Sequence, residues 1–463
     1  MTRRRRKSLL ILPLLLAACA DTDLVRTASD PRAGFAFVAD GTRRATGADS
    51  VWARSAAEIA ATEARVRGLV HGKTIGPDTA VQVALMNNRA LQAAYADLGL
   101  SATELWEVAL GPVPTLNISL GQTGLTRSAE ATIAAALIEL STQKPRKALA
   151  ETRFRQAQLR ALGETVALAA ETRRAWIDAV AAFEAAALIA QTQATADAAS
   201  ELAAELGRTG AMNRGDQARE HVFTAELAAE RADARLEAQL AKERLTRLMG
   251  LWGTDVSYYV PDRMPALPGR QPGRSDAERL ALEHRVDLAI GRLELQAIAQ
   301  HYRLSGSTRM LSDAEILAGV EVEREDEAVR ARVVEVGFEI PLYDTGKLAA
   351  RKGELEYMRA AHRLAQQAIN ARSEARSAHA AVTGQYRIAR HWRDEVLPLR
   401  RVIDEEALRT YNGMLTSTFD LIADAREGLD AQLSTAEAKA DYWRAEADLT
   451  AVIWGGNPKG GDE

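Results

Sequence analysis

The chain repeats itself once, at a spacing of about two hundred residues. Ala84-Leu85 is matched by Ala281-Leu282, 197 positions later. Glu171 and Ala175 are matched by Glu374 and Ala378, and Gly210 by Gly413, each 203 later. Leu251-Trp252-Gly253 is matched by Ile453-Trp454-Gly455, 202 later. This period is far beyond the ~20–50 residues of a solenoid repeat and describes a duplicated half-protein. The step from 197 to 203 falls between the first two anchors, where each half carries its strands, so the second hairpin is expected to be longer by 203 − 197 = 6 residues.

Each half follows one plan. A helix opens it, Asp78 to about Glu107 and Ser275 to about Leu304. Two strands follow. Leu116, Ile118 and Leu120 alternate with polar neighbours, and a less clearly patterned return covers about Ala131 to Leu140. In the second half Ile316, Ala318, Val320 and Val322 alternate with their neighbours, and the return runs from Val329 to Ile340 across a charged apex at Arg324-Glu325-Asp326. There Val334, Val336, Phe338 and Ile340 share one face, and Glu335, Gly337 and Glu339 the other. A period of two marks a strand. On a membrane strand, Val336 and Phe338 would face lipid and Glu335 and Glu339 the lumen.

Two long helices complete each half. Lys147 to Leu206 is a helix of roughly 90 Å at 1.5 Å per residue. Within it Trp176, Val180, Phe183, Ala187 and Ala190 step by four and three, the spacing of a coiled-coil seam. Gly207 to Gly215 breaks this helix, and Asp216 restarts it as a cap. The second half repeats the scheme with Lys347 to Tyr411, a break at Asn412-Gly413, and a helix onward to Ile453. Pro398 is expected to kink it. Between the halves, Pro261, Pro265, Pro268 and Pro272 predict a stiff extended linker.

The first eighteen residues read as a signal peptide, with a basic Arg3-Arg4-Arg5-Arg6-Lys7 stretch and a short apolar run, Leu9 to Leu16. Leu16-Ala17-Ala18-Cys19 resembles a bacterial lipobox, which implies cleavage before Cys19 and lipid on its sulfur. Cys19 is the single cysteine, so disulfides and cysteine metal sites are excluded. Residues 19–74 form an anchored leader, an extended tether turning helical from about Ser55 to Val70. The first repeat is 75–255, the linker 256–273, the second repeat 274–455 and the tail 456–463.

Removing the leader takes five positive charges from a formal −4, giving −9 for the mature chain, which argues against a nucleic-acid partner. Aromatics make up 5% and alanine is abundant, which suits closely packed helices. No apolar run of eighteen residues follows the leader, so no transmembrane helix is expected.

The strand-to-helix junction Ile340-Pro341-Leu342-Tyr343-Asp344-Thr345-Gly346-Lys347 admits other readings. Asp344-Thr345-Gly346 also spells the aspartic-protease tripeptide. Gly346-Lys347 echoes a phosphate loop, but Pro341 and Leu348 stand where that loop needs Gly and Ser or Thr. A turn with a capping aspartate is the plain reading. The junction also resembles that of the TolC-like outer-membrane efflux proteins, as do TIGPDTAVQVALMNNRALQAAYADLGL, Arg285-Val286-Asp287-Leu288 and RTYNGMLTSTFDLIADARE. The resemblance spans roughly Ile75 to Gly455. It implies a mainly α chain with a small β part, its long helices forming an α-barrel. Four strands would be contributed to a homotrimeric 12-strand transmembrane β-barrel. It further implies a periplasmic adaptor, an inner-membrane transporter and outer-membrane lipid as partners. Departures from the family pattern are Leu140-Ser141-Thr142-Gln143, which lacks Pro and Gly, and Arg214-Gly215 at the first tip.

The implied function is a passive exit duct of an efflux pump or type I secretion system. The alternative is a periplasmic coiled-coil scaffolding lipoprotein. No catalytic residue and no cofactor beyond covalent lipid on Cys19 are expected: there is no G-x-S-x-G, and the seven histidines form no H-x-x-x-H pair and no carboxylate cluster. The candidate site is the pair of helix tips. Gly210, Asn213, Gly413 and Thr416 resemble the family's adaptor-contact turns. Asp216 and Asp420 could cap their helices or ring a constriction.

Overall fold

A computed structural model describes residues 22–111, 115–123, 126–270, 276–308, 315–324, 328–337, 347–413, 415–416 and 418–455. The helices are α1 Thr22–Ala28, α2 Phe35–Thr46, α3 Ala56–Val70, α4 Pro77–Asn87 and α5 Arg89–Leu110. The hairpin β1 Thr115–Thr123 and β2 Thr126–Ala136 follows, then α6 Leu137–Thr209 and α7 Arg214–Leu248. The second half has α8 Ala277–His284, α9 Val286–Thr308, β3 Glu315–Arg324, β4 Ala328–Gly337, α10 Lys347–His391, α11 Leu397–Asn412 and α12 Thr418–Trp454. The chain forms two compact units, each drawing on both halves of the sequence.

The first unit comprises 1–38, 95–161 and 287–367. Its centre is one antiparallel sheet in the order β1-β2-β3-β4. The hairpins of the two halves join through β2 and β3, with Ala131 opposite Val320 and Ala135 opposite Ile316. Within β3–β4, Ile316 lies opposite Val336 and Glu315 opposite Gly337. The hairpins span 115–136 and 315–337, so the second is not six residues longer. Strand starts 200 apart (115 and 315) and strand ends 201 apart (136 and 337) put three of the six extra residues before the hairpin, one within it and two after it. Phe338, Glu339 and the Ile340–Gly346 junction lie outside the described residues. Leu140 belongs to α6, not to the returning strand. Helices in this unit pack closely, with the Tyr302 hydroxyl donating to Glu356 (2.6 Å) and its ring lying where a Cβ on Gly353 would sit.

The second unit comprises 39–94, 162–286 and 368–463. The leader is not a tether. Here α2 and α3 are folded helices, and the stretch between them is held by glutamines. Gln82 pairs with both backbone groups of Asp49, and Gln92 with Val51 O and Ala53 N. The single opening helices of each half are broken, at Asn88 and at Arg285. Asn87 and Asn88 donate to the carbonyl of Leu248, the last residue of α7, and to those of Met249 and Gly250 just past it, and Asn88 caps α5 through Leu91 N.

Trp176 and Val180 join a large core with Val83, Leu245, Met249 and Tyr258. The expected seam of α6 holds at Trp176 and Val180, both buried, and widens onto neighbouring positions. Thr165, Thr172, Ala175, Ala179, Ala186, Ile189, Gln193, Ala196 and Ala203 are buried, still at steps of three, four and seven. Phe183 is half-buried and Ala187 exposed. Small residues along this line let helix axes approach, and Trp176, Ile177 and Val180 are buried beside them. Alanine also lifts one window of Gln143–Thr209 to mean hydropathy 1.2, long and apolar enough by composition to cross a membrane although no continuous apolar run is present. That helix nonetheless carries Asp178 and Glu184, paired with Arg444 (2.7 Å) and Lys439 (2.8 Å) on α12.

The proline-rich linker, described as far as residue 270, is docked rather than free. Met264 N–H donates to Glu184 (2.7 Å), Trp443 Nε1 to Pro265 O (3.1 Å) and the Tyr386 hydroxyl to Pro268 O (3.0 Å). At Pro398 the long helix passes through a π turn, Trp392–Val396, in which Leu397 N–H reaches back to Trp392 O. The wider turn makes room for a ring with no N–H to donate.

Candidate functional site

Both tips lie in the second unit. At the first, α6 ends at Thr209 and Gly210 takes φ +76°, a left-handed conformation that favours glycine. Ala211 N–H bonds to Leu206 O (2.9 Å) and Gly210 N–H to Gly207 O (3.3 Å), a Schellman ending. The cap of α7 is Asn213, not Asp216. Its Oδ1 accepts from Asp216 N (2.9 Å), and its amide donates to the Asp216 carboxylate. Asp216 is the third helical residue and also pairs with Arg219 (2.8 Å). An amide oxygen at position 213 reaches the free N–H groups of the first turn, so a carboxylate there complements the helix dipole instead of capping.

The second tip is not a copy of the first. Gly413, the sequence counterpart of Gly210, has φ −79° and closes α11 by donating to Arg409 O (3.0 Å). Leu415, 82% exposed, donates its N–H to Thr410 O. Asp420 is again the third residue of its helix, so it is not the cap expected from its spacing. It is exposed and accepts from the Thr416 hydroxyl (3.0 Å). Gly210, Asn213 and Asp216 thus form one turn, and Gly413, Thr416 and Asp420 the other. Cys19 lies outside the described residues.

The two turns are tied together just behind their ends. Arg426 of α12 pairs with Glu226 of α7 and lies 4.8 Å over the Phe223 ring. Ile189, Ala196, Phe223, Leu227 and Leu429 form a small core there. Glu220 is buried in the same place, 1% exposed, and neither carboxyl oxygen has a hydrogen-bond partner. Burial pushes its carboxyl above the usual carboxylate range, opposed by neighbouring His221. The sequence does carry a signal for it: Glu220, Phe223 and Leu227 step by three and four, placing an acid in a seam.

The sign of the pH effect follows. A carboxyl with a raised folded value contributes stability below its unfolded value of ~4.3 and loses it as pH rises through the folded one. Glu220→Gln is therefore expected to stabilise by ~1–3 kcal/mol at pH 8, where it removes a buried charge, and to be near neutral at pH 4. Thermal denaturation followed by circular dichroism checks this, and an equal effect at both pH values would contradict it.

Among the described residues no group of three or more His, Cys, Asp or Glu is arranged to hold a metal, although His391 does face Glu395 at 3.2 Å.

No protein-family model and no curated protein matches the chain. Solved structures do. The CmeC outer membrane channel of Campylobacter jejuni superposes with TM-score 0.71 at 15% identity, covering 82% of this chain and 86% of that one. The outer-membrane channel OprN gives 0.68 at 19%, covering 82% and 90%. The outer membrane protein VceC of Vibrio cholerae gives 0.68 at 14%, covering 88% and 100%. These neighbours are channel proteins rather than enzymes, and the fold of this chain is that of the TolC-like outer-membrane channels.

Proposed function

We propose that the chain is one subunit of a homotrimeric outer-membrane exit duct, anchored by lipid on Cys19. It serves an efflux pump or type I secretion system through a periplasmic adaptor and an inner-membrane transporter. The observation that carries this reading is the four-stranded sheet, in a chain whose fold neighbours are channels. Its order leaves β1 and β4 at the edges. Open edges are not tolerated in lipid, and three copies joined β4 to β1 supply a closed barrel of twelve strands. Exposed Leu348, Ile369 and Leu399 (72%, 61% and 66%) add apolar surface for neighbouring copies.

The test is conductance. The purified full chain is expected to form stable pores in planar bilayers and a trimer band whose migration changes on heating. A protein that binds membranes without conducting and shows no heat-modifiable band would instead be a periplasmic scaffold.

Two further outcomes follow from this reading. Cys19→Ser is expected to abolish incorporation of radiolabelled fatty acid while leaving the trimer intact, and persistent labelling would sink the anchor assignment. Asp420→Asn keeps an acceptor for the Thr416 hydroxyl but removes a charge. If three Asp420 carboxylates line the narrow end, cation preference in single-channel recordings drops without loss of trimer. Unchanged selectivity would leave Asp420 as a helix-end residue only.

A further inference from the structure

A cavity of about 190 Å³ lies between the two tip hairpins, within the second unit. Its walls come from all four helices there. They include Ala196 and Leu206 of α6, Phe223 of α7, Leu408 and Tyr411 of α11, and Ile422 of α12. The lining is almost entirely apolar. The hydroxyls of Thr192 and Thr195, which also border it, donate to carbonyls of their own helix, at Leu188 and Gln191. The exception is Glu220, which lines the same cavity and is the group already seen to be buried with both oxygens unpartnered.

We propose that this cavity is a binding site for a small apolar amine, an aromatic or aliphatic body bearing one ammonium that is held against Glu220. The chemistry follows from the walls. Among the described residues no basic side chain lines the cavity, so an anion finds no partner beside a carboxylate. A neutral apolar guest fills the space but leaves both Glu220 oxygens without donors. An ammonium supplies N–H donors and opposite charge together, and charge-assisted hydrogen bonds are the strong ones. The Phe223 and Tyr411 rings add aromatic faces for a cation, although Arg426 already covers one side of Phe223. A dry cavity of ~150 Å³ holds benzene, so this one takes a ring with a short arm. A surface side chain from another molecule is a poorer fit, because Glu220 is enclosed by helices of its own chain. A bound amine touches both hairpins and links them.

The probe is 2-phenylethylamine, titrated calorimetrically into the purified full chain, with 2-phenylethanol and 3-phenylpropanoate as uncharged and anionic counterparts of similar shape. Expected is saturable binding of one amine per chain, at least tenfold weaker binding of the alcohol, and none of the acid. Glu220→Gln is expected to weaken the amine at least tenfold and leave the alcohol unchanged. Ala199→Leu, which fills the cavity from its α6 wall and keeps the acid, is expected to abolish both. The proposal is overturned by absence of saturable amine binding to the parent, by equal affinity for amine and alcohol, or by undiminished amine affinity in either variant. Binding is read directly on the protein, so failure of the exit-duct reading leaves this result standing.

Discussion

Trp176→Ala is expected to lower the unfolding free energy by ~3–5 kcal/mol, the usual cost of deleting a large buried aromatic. Trp176 is 2% exposed and sits in the main core of the second unit. Its indole N–H donates to Ile75 O (2.9 Å), where the chain enters α4. The substitution removes the ring and leaves that carbonyl without its donor. Trp176→Phe keeps most of the volume and loses the hydrogen bond, so a smaller loss of ~1–2 kcal/mol is expected. Denaturant titration followed by helical circular dichroism separates the two variants. A parental midpoint for Trp176→Ala would mean that the core does not depend on this contact.

Lys439→Met is expected to cost ~3–5 kcal/mol, because it strands a buried carboxylate. The Lys439 and Glu184 side chains are 19% and 11% exposed, and they meet at 2.8 Å. Glu184 also receives Met264 N–H, so the same carboxylate joins α6, α12 and the docked linker. In the double variant Lys439→Met, Glu184→Gln no charge remains, and the amide oxygen can still accept from Met264. Most of the loss is then expected to be recovered. Hydrogen exchange at the Met264 amide gives a local readout, fast in the single variant and slow in the parent and double variant. Equal losses in single and double variants would show that the ion pair is not what holds the linker.

The neighbouring Arg444 behaves differently. It bonds Asp178, Glu437 and Asp441, and these partners hold its guanidinium protonated despite burial. Tyr258, buried under Lys242 with its hydroxyl against Thr246, is pushed up to about 12 by desolvation. Neither group is arranged to titrate near neutrality.

What could be read from residues alone was whatever is periodic or local. The alternation of Ile316, Ala318, Val320 and Val322 marks β3, and three-four spacing with few breakers marks helices longer than forty residues. Pro398 announces a disturbed helix because a missing N–H has the same consequence in any surroundings. The resemblance of the Ile75 to Gly455 stretch pointed to the fold that the structure has.

Tertiary packing decided the rest. Asn88 and Arg285 carry no breaker signature, yet the opening helices end there, and at the first break Asn87 and Asn88 satisfy exposed carbonyls at and just past the end of α7. The buried face of α6 takes in Thr165, Thr172 and Ala179 beside Trp176 and Val180, a width set by the helices that pack against it. Asp216 lost the capping position to Asn213, three residues earlier, by hydrogen-bond geometry that spacing from a glycine cannot supply. The burial of Glu220 exists only once four helices from distant parts of the chain close around it.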